Sequence, residues 1–509
     1  LDVTASNGMS GEWLLDPFDI TIGTGKTNVS PSFFGSNLLF ESFDSGSFVS
    51  VDDIDLALSE GSNVVILTGY TPSIGEGGGS IVISNEEGGG FNGSNEEVGN
   101  ITWNSDAPLN YFDSSGSLAL DAAGYIELNS DIAVGPGGLS LSASTGYVAS
   151  SPEINLNLGG PLSVSVGDAI QQNKLFDFTL SGSGDLIKQG EGRFILSGNN
   201  SAWSGDITIQ NGTLRAIASN ALGTGSFAFV ESGATLEIEG GISLAQSVEL
   251  NGGTLASLSG NNAVESPVLL RSSSTIDVQQ DSLTLSDSIV SSVGNDSVSF
   301  GDGVTADLTL AGFGDFTLLG SLDLGGFDST AGDVNQVGAG VARYKSPLNV
   351  ESVRSTGGGT IWMDQPSESE VLSSGSSIFL SNGSILRRDG SETLDDTSLE
   401  LGEGGGGISV GDGFSLVWDA PITGSGDFTK FGEGVLTFPE SADIEYSGDT
   451  FVREGSLEVF SSLPASAACS GTGTSSLCNS GVIELPGGGE NGGDDNIDLT
   501  FPQPPISLE

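Results

Sequence analysis

The sequence predicts an all-β protein, a long right-handed parallel β-helix (β-solenoid) with projecting loops. Between residues 182 and 238, Gly-containing turns fall every few residues and short apolar alternations lie between them. Phe194 and Leu196 alternate with Arg193 and Ile195, the period of a strand with one buried face. Since these runs are too short for a sheet with its own core, each must stack on near-copies of itself.

The same stretch recurs later in the chain, which is the second observation behind this fold class. In the range 424–457, Lys430 stands where Lys188 stands in the first copy, and Leu457 stands where Leu214 does. A worn third copy begins at Ala311 and keeps only the start of the pattern, GxGDFT. Repetition at a fixed period is typical of solenoids.

The two copies resemble the passenger-associated repeat of bacterial autotransporter proteins, whose pattern runs roughly GxGxLxKxGxGxLxLxGxNxYxGxTxxxxGTL. The first copy matches nearly throughout, with Trp203 at the aromatic position. The second departs in its middle, where Pro439 and Ala442 replace the Gly-Asn turn. The resemblance implies a β-helical passenger on a bacterial cell surface.

A second resemblance lies near the start of the chain. The string GEWLLDPFDITI, residues 11–22, is similar to one in filamentous-haemagglutinin-like large exoproteins. Trp13 and Pro17 are expected to plug the open end of the solenoid, since terminal rungs need a cap. The alternative is that Trp13 is a buried aromatic in a loop. Strand-like runs follow from Asn63, Asn100, Gly116 and Gly138.

The two resemblances imply the first two of three regions, and a change of composition after residue 485 predicts the third. Residues 1–170 form the haemagglutinin-like β-helix with its cap, 171–485 form the autotransporter-passenger-like β-helix continuous with it, and 486–509 form a Gly/Asp/Pro-rich tail or linker. Within the first region, 72–99 is rich in Gly and Glu and predicts a projecting loop, either a binding loop or, as we favour, a passive one. The tail either leaves the fold or adds a strand to a neighbouring molecule.

The charge is lopsided, with 67 acidic residues, 13 basic residues and a net charge of −54. Such a surface repels phosphate backbones, which excludes nucleic-acid binding. It indicates solubility through mutual repulsion or, as the alternative, a saline habitat. One less regular stretch, 330–400, is relatively basic, and it either contacts an acidic surface of another copy or forms local ion pairs, which we prefer. Its basic residues are Arg343, Lys345, Arg354, Arg387 and Arg388.

The residue types needed for most catalytic and metal sites are missing. Histidine is absent, which excludes every mechanism with an imidazole base. No P-loop is present, and carboxylates are too common for any pair to stand out as a glycosidase site. We therefore predict no catalytic residues, no metal site and no cofactor. Ca²⁺ held by Glu490, Asp494 and Asp495 is the alternative, although acidic Gly-rich tails are usually just solvated.

Two cysteines, Cys469 and Cys478, stand among small, turn-forming residues. A secreted context favours a disulfide between them, and two free thiols remain the alternative. A pair of this spacing without histidine is a poor zinc site. The sequence shows no signal peptide at Leu1 and no apolar run long enough for a membrane-spanning helix.

The two resemblances imply an exported bacterial cell-surface protein, extracellular in location, which is an adhesin or a structural subunit of a surface layer or appendage. The missing catalytic residue types predict that it is non-catalytic. Its expected partners are other copies of itself or surface glycans. One alternative is a self-assembling extracellular fibre subunit that uses its tail for strand addition. The other is a carbohydrate-active β-helix enzyme. A polar, capped first rung favours the monomeric adhesin, and uncovered end rungs favour the fibre.

Overall fold

The computed structural model shows parallel strands stacked as a β-solenoid, which confirms the predicted fold class. The structure describes residues 19–29, 32–34, 37–41, 47–68, 99–146, 148–150, 154–167, 178–291, 306–325, 331–365, 372, 375–461 and 467–469. Within these residues there is one helix, Val51–Ser59, and all other regular structure is β. The chain divides into two compact units, Leu1–Glu237 and Ile238–Glu509.

The N-terminal unit has three walls of short strands. The first wall contains Ser32–Phe34, Asn37–Glu41, Asn63–Leu67, Leu118–Ala122, Leu139–Ala143, Leu162–Val166, Leu186–Gln189, Ile207–Ile209 and Phe227–Val230. The second contains Ser47–Ser50, Ile20–Gly23, Ile101–Trp103, Ile126–Leu128 and Val148–Ser150. The third contains Leu109–Asn110, Ile132–Val134, Asn155–Leu158, Thr179–Gly182 and Ala202–Trp203. Three further strands are Arg193–Leu196, Thr213–Ala216 and Thr235–Ile238.

Inward-facing residues of successive rungs stack in register and make the core. Leu118 pairs with Leu139, Leu139 with Leu162, and Leu162 with Leu186, and all four side chains are buried. The rung period is therefore close to the roughly 20–25 residues expected of a solenoid. Because each rung buries its apolar face only against its neighbours, stability comes from stacking.

The alternation predicted for the first repeat copy is confirmed at its inward positions. Phe194, Leu196, Ile207 and Ile209 are all buried. Ile195 was expected on the opposite face, yet it is only 6% exposed. Its register partner on the next rung is Arg215, a long side chain of the kind that covers apolar surface with its methylene stem.

Corners of the repeat need glycine. Gly182 has φ +90°, and a Cβ there would lie 2.3 Å from the carbonyl oxygen of Leu158. Gly424, at the same place in the second copy, has φ +114° and equally little space beside Leu401. A side chain at either position would clash with the backbone of the preceding rung, which explains the glycine of the pattern.

An amphipathic helix, which the strand pattern of the sequence does not predict, packs at the N-terminal end of the first unit. Helix α1, Val51–Ser59, follows the strand Ser47–Ser50 directly and buries Val51, Ile54 and Leu58. It lies against that strand and against Asn63–Leu67 and Leu109–Asn110. The neighbouring strands Ser32–Phe34 and Asn37–Glu41 pair antiparallel, unlike the other described ladders.

Two walls of the C-terminal unit are each one unbroken sheet among the described strands. One contains Ser243–Leu244, Asn261–Val264, Ser282–Leu285, Asp315–Leu318, Val341–Tyr344, Thr360–Met363, Ser384–Arg388, Gly406–Val410, Phe428–Phe431, Thr450–Val452 and Ala467–Cys469. The other contains Thr254–Ser257, Ser274–Val278, Leu308–Gly312, Val334–Gln336, Ser352–Ser355, Ser377–Leu380, Ser398–Leu401 and Ile422–Gly424.

The third wall of this unit is formed by two separate sheets. The first contains Ser247–Asn251, Val268–Ser272, Ile289–Ser291, Leu322–Asp323 and Leu348–Asn349. The second contains Glu392–Leu394, Ser415–Trp418, Val435–Phe438 and Ser456–Val459. The stretch 330–400 looks irregular in sequence, yet it supplies ordinary rungs to the two unbroken walls.

Several predictions concern residues outside the described ranges. Trp13 and Pro17 of the expected plug lie there, as do nearly all of the predicted loop 72–99 and the whole tail 486–509. The proposed region boundaries at 170 and 485 stay predictions.

Candidate functional site

The lysine of the first repeat copy is buried and bound on all three of its N–H groups. Lys188 lies at an inward position of Leu186–Gln189, and its side chain is fully buried. Its Nζ donates to the carbonyl oxygens of Gln189 at 2.7 Å, Gly190 at 2.8 Å and Asn211 at 3.1 Å. Because Asn211 belongs to the following rung, the ammonium group ties two rungs together at one corner.

The lysine of the second copy makes the same three bonds. Lys430 Nζ donates to the carbonyl oxygens of Phe431 at 2.7 Å, Gly432 at 2.6 Å and Glu454 at 3.2 Å. We call each arrangement an ammonium clamp. A protonated amine has three donors and no acceptor, so it fits a corner lined by three carbonyl oxygens.

Burial lowers the pKa of both clamp lysines to about 8. Burial removes water from the charged form, while nearby carboxylates, Glu191 for Lys188 and Glu454 and Glu433 for Lys430, act in the opposite direction. The worn third copy has Leu318 at the equivalent position, fully buried, and therefore has no clamp. The clamps thus coincide with the two full copies of the repeat.

The relatively basic stretch carries a stacked arrangement on the outer face of one wall. Arg343, Trp362 and Arg387 are register partners on three successive strands. The two guanidinium carbons lie 4.0 Å and 3.9 Å from the Trp362 ring, so both faces of the ring are covered. Arg354 lies over one face of Phe379 at 4.1 Å. The Trp362 ring, with both faces covered, offers no platform for sugar stacking.

The cations of this stretch are paired with nearby carboxylates. Arg343 Nε donates to Asp364 at 2.7 Å, and Lys345 pairs with the same carboxylate. The hydrogen bonds of Arg343 and Lys345 hold the pKa of Asp364 below its usual range against the opposing effect of burial. Arg387 pairs with Asp389 at 2.9 Å. The structure therefore supports local ion pairs here over a free cationic surface.

One cation of the stretch lies inside the fold. Arg388 is 1% exposed and pairs with Glu392. Elsewhere the ion pairs are partly exposed: Arg193 and Arg215 share Glu237, and Arg271 pairs with Glu249. Most cations of the described part thus belong to intramolecular structure.

Many aspartates serve as backbone acceptors between rungs. An Oδ1 atom accepts the backbone N–H of the equivalent corner one rung later, at 2.7–3.0 Å. The donor–acceptor pairs are Asn155–Asp131, Asp206–Asp185, Ser226–Asp206, Asp333–Asp307 and Asp449–Asp427. Part of the acidic composition is therefore structural, because these corner N–H groups need partners.

Within the described ranges, no group of three or more His, Cys, Asp and Glu side chains is placed to hold a metal ion. Burial raises the pKa of Asp121 against the opposing hydrogen bond from Ser142. Cys469 ends the strand Ala467–Cys469, while its side chain and Cys478 lie outside what is described, so the disulfide stays a prediction. Glu490, Asp494 and Asp495 lie outside as well.

No helix in the described part of the chain has the length and apolar character needed to cross a bilayer.

Comparison with known proteins identifies the two clamp-bearing segments. The passenger-associated-transport-repeat matches residues 186–216 and 428–459, which confirms the resemblance of both copies to autotransporter passengers. The match does not extend to the haemagglutinin-like string at 11–22, whose resemblance stays a prediction. No curated protein and no solved structure matches the chain. The repeat indicates an autotransporter passenger segment, exported to the cell surface.

Proposed function

We propose that the chain is a non-catalytic, extracellular adhesin of a bacterial surface, a solenoid that presents its turns and loops to surface glycans or to other cells. The observation that carries this proposal is the coincidence of the passenger-associated repeat with a parallel solenoid in both units. Passenger repeats of this family are generally non-catalytic. The absence of histidine removes the commonest general base.

The charge distribution supports a surface that faces water and repels its own copies. Lys188, Lys430 and Arg388 are buried, and the partly exposed arginines of the described part are held by carboxylates or aromatic rings. With a net charge of −54, copies of this chain repel one another except where salt screens them. Such a surface disfavours indiscriminate self-association.

The acidic helix at the N-terminal end favours the adhesin over the fibre. Asp52, Asp53 and Asp55 are exposed on helix α1, which packs beside the first rungs. A charged helix over terminal strands blocks the edge-to-edge pairing on which strand-addition fibres depend. The fibre alternative therefore has less support at this end of the chain.

Two measurements on the purified full chain test the proposal. Beads coated with the chain should adhere to glycan-bearing surfaces more than beads coated with an unrelated protein of similar net charge, and incubation with the same glycans should release no reducing ends. Release of sugar would replace the adhesin by the enzyme alternative. Equal adhesion of the two bead preparations would overturn glycan binding.

Sedimentation across protein and salt concentrations tests the choice between adhesin and fibre. We expect a monomer at low and moderate salt, because repulsion between acidic surfaces opposes contact. End-to-end polymers under these conditions would establish the fibre alternative instead.

A further inference from the structure

One turn of the C-terminal unit carries an aromatic ring that faces water. Phe313 lies in the turn that joins the strands Leu308–Gly312 and Asp315–Leu318, and it is 81% exposed. No other large apolar side chain in the described part of the chain is as exposed. Leaving a ring of this size in water forgoes the free energy that its burial would gain.

The fold does not require an aromatic residue at this position. The two full repeat copies have the same Gly-x-Gly-Asp start, with Ser183 and Ser425 at the middle position, and both serines are exposed. The backbone is alike, since the first glycine of the turn has φ +90° in the first copy, +114° in the second and +90° in the worn third copy. Serine therefore satisfies this turn, and Phe313 is a departure from the pattern that the turn itself does not explain.

The next rung adds apolar surface beside this ring. Its turn at the same corner follows the strand Val334–Gln336 and holds Val337, which is 49% exposed, and Ala339, which is exposed as well. The two turns are stacked, since a Cβ on Gly340 would lie 3.1 Å from the carbonyl carbon of Phe313. We call Phe313, Val337 and Ala339 together the Phe313 ridge.

Two carboxylates lie at the same corner as the Phe313 ridge. Asp315 follows Phe313 by two residues, and its backbone N–H donates to the carbonyl oxygen of Asp281 at 2.8 Å, so Asp281 lies at this corner one rung earlier. Both aspartates are exposed. The faces of an aromatic ring carry partial negative charge, so the ring and the two carboxylates all favour a cation at this corner.

Three other aromatic rings of this unit are covered by arginine. Guanidinium carbons lie 4.0 Å and 3.9 Å from the centre of the Trp362 ring, 4.1 Å from that of Phe379 and 5.6 Å from that of Phe451. No cation covers Phe313 in the described part of the chain, which includes every basic residue except Lys174. The Phe313 ring therefore presents the acceptor side of a contact whose cation these basic residues do not supply.

We propose that the Phe313 ridge is a docking point for a basic segment of another protein, with an arginine of that segment over the Phe313 ring and its methylene stem against Val337. Asp281 and Asp315 provide the complementary charge. A second copy of this chain fits poorly, because its described cations other than Lys26 are already held by carboxylates, carbonyl oxygens or aromatic rings. Docking at the ridge is separate from the proposed adhesion to glycans and does not require it.

Titration of the full chain with a hexa-arginine peptide at about 0.15 M salt tests the proposal, because this salt screens diffuse attraction to the acidic surface more than it screens contact with one ring. Phe313→Leu keeps an apolar side chain but removes the ring, and it should weaken binding about threefold. Phe313→Trp supplies a better ring for a cation and should strengthen binding. Leu319→Ser, which removes a 43% exposed apolar side chain beyond the other end of the strand Asp315–Leu318, is the matched control and should leave binding unchanged.

A second measurement locates the contact. The same peptide with a benzophenone at one end, activated by light, should attach mainly to residues 308–318 and 334–344 of the unmodified protein. Phe313→Ser places at this turn the residue type of the two full copies, so it should keep the fold and lose most of this attachment.

Three results would overturn docking of a basic segment at the ridge. They are equal binding by Phe313→Leu and the unmodified protein, attachment spread evenly over the acidic surface, and an equal loss of binding in Leu319→Ser. If Phe313→Ser instead abolishes adhesion of coated beads to glycans while peptide binding is unchanged, the ridge is a glycan site. Failure of the unmodified protein to adhere to glycans would refute the proposed function and leave the peptide result unaffected.

Discussion

Lys188 donates from Nζ to the carbonyl oxygen of Gly190 at 2.8 Å, deep in a corner of the solenoid. Lys430 repeats the bond with Gly432 at 2.6 Å in the second repeat copy. The same geometry in two segments that share a family pattern indicates that the pattern requires lysine for this clamp. The ammonium group supplies donors to carbonyl oxygens that the turn directs inward.

Removing a clamp should destabilise its unit. Lys188→Met and Lys430→Met each leave three inward carbonyl oxygens without this donor while also removing a buried charge, so we expect a net loss of about 3 kcal/mol in the free energy of unfolding. Urea unfolding followed by circular dichroism measures the loss. Leu318→Met in the worn third copy is the control, and it should cost less than about 1.5 kcal/mol because no clamp exists there. Equal losses in all three variants would refute a special role for lysine.

The clamp lysines should also make stability rise with pH over a defined window. Their folded-state pKa is about 8, below the ordinary 10.5, so between these values the unfolded chain binds more protons than the folded one. The free energy of unfolding therefore increases with pH from about 8 to 10.5 through these two groups. The measurement is the pH dependence of thermal unfolding in the unmodified protein minus that in the double variant Lys188→Met/Lys430→Met. A flat difference would mean that the three carbonyl oxygens restore the ordinary lysine pKa.

Buried tyrosines should reverse the trend at higher pH. Burial raises the pKa of Tyr446 to about 12 and raises that of Tyr344 still further. Above about pH 10 the unfolded chain loses tyrosine protons that the folded chain keeps, so stability falls. We expect a maximum of stability at about pH 10, where the two opposing contributions are nearly equal, and Tyr344→Phe should reduce the decline above it. Continued stabilisation up to pH 11 would contradict this account.

The ammonium clamp separates the features that the sequence predicts from those that only the structure shows. Glycine spacing and alternation around Phe194 predict the strands, their inward faces and the stacking, because a period of two and a repeated turn leave little freedom in the backbone. The same pattern marks Lys188 and Lys430 as recurring, but it gives no reason for a charged residue at an inward position. The reason is a carbonyl oxygen of the next rung, that of Asn211, which accepts a hydrogen bond from Lys188. The sequence alone does not show that these two residues are in contact.

The stacked Trp362 should stabilise the outer face through both guanidinium groups that cover it. Trp362→Ala removes the contacts at 4.0 Å with Arg343 and at 3.9 Å with Arg387, and we expect a loss of about 1–2 kcal/mol. Phe379→Ala removes one such contact, with Arg354. Its cation–π loss should therefore be about half that of Trp362→Ala, in addition to the loss of apolar contact that both variants share. Urea unfolding compares the two variants. A larger loss from Phe379→Ala would show that apolar contact outweighs the cation–π contribution.

Helix α1 is the element that the strand pattern of the sequence does not predict. The segment VDDIDLALS is rich in acidic residues and lies between strands. The apolar alternation that predicts the neighbouring strands therefore does not predict this helix. Its signals are nevertheless present: Ser50 stands at the cap position, Asp52 and Asp53 fill the first turn, and Ile54 and Leu58 are spaced for one helical face. Whether this segment forms a helix depends on tertiary packing, because the helix gains its stability by covering the first rungs.

The cap of this helix gives the last prediction. Ser50 is 2% exposed, and its hydroxyl accepts the backbone N–H of Asp52 at 3.3 Å. Ser50→Ala should cost about 1 kcal/mol and should loosen the helix before the rest of the unit, because a backbone N–H in the first turn loses its capping acceptor. Hydrogen exchange of peptides spanning residues 50–60 measures the effect. Ser59→Ala, at the exposed far end of the same helix, should change exchange little, and equal effects of the two variants would show that Ser50 does not act as a cap.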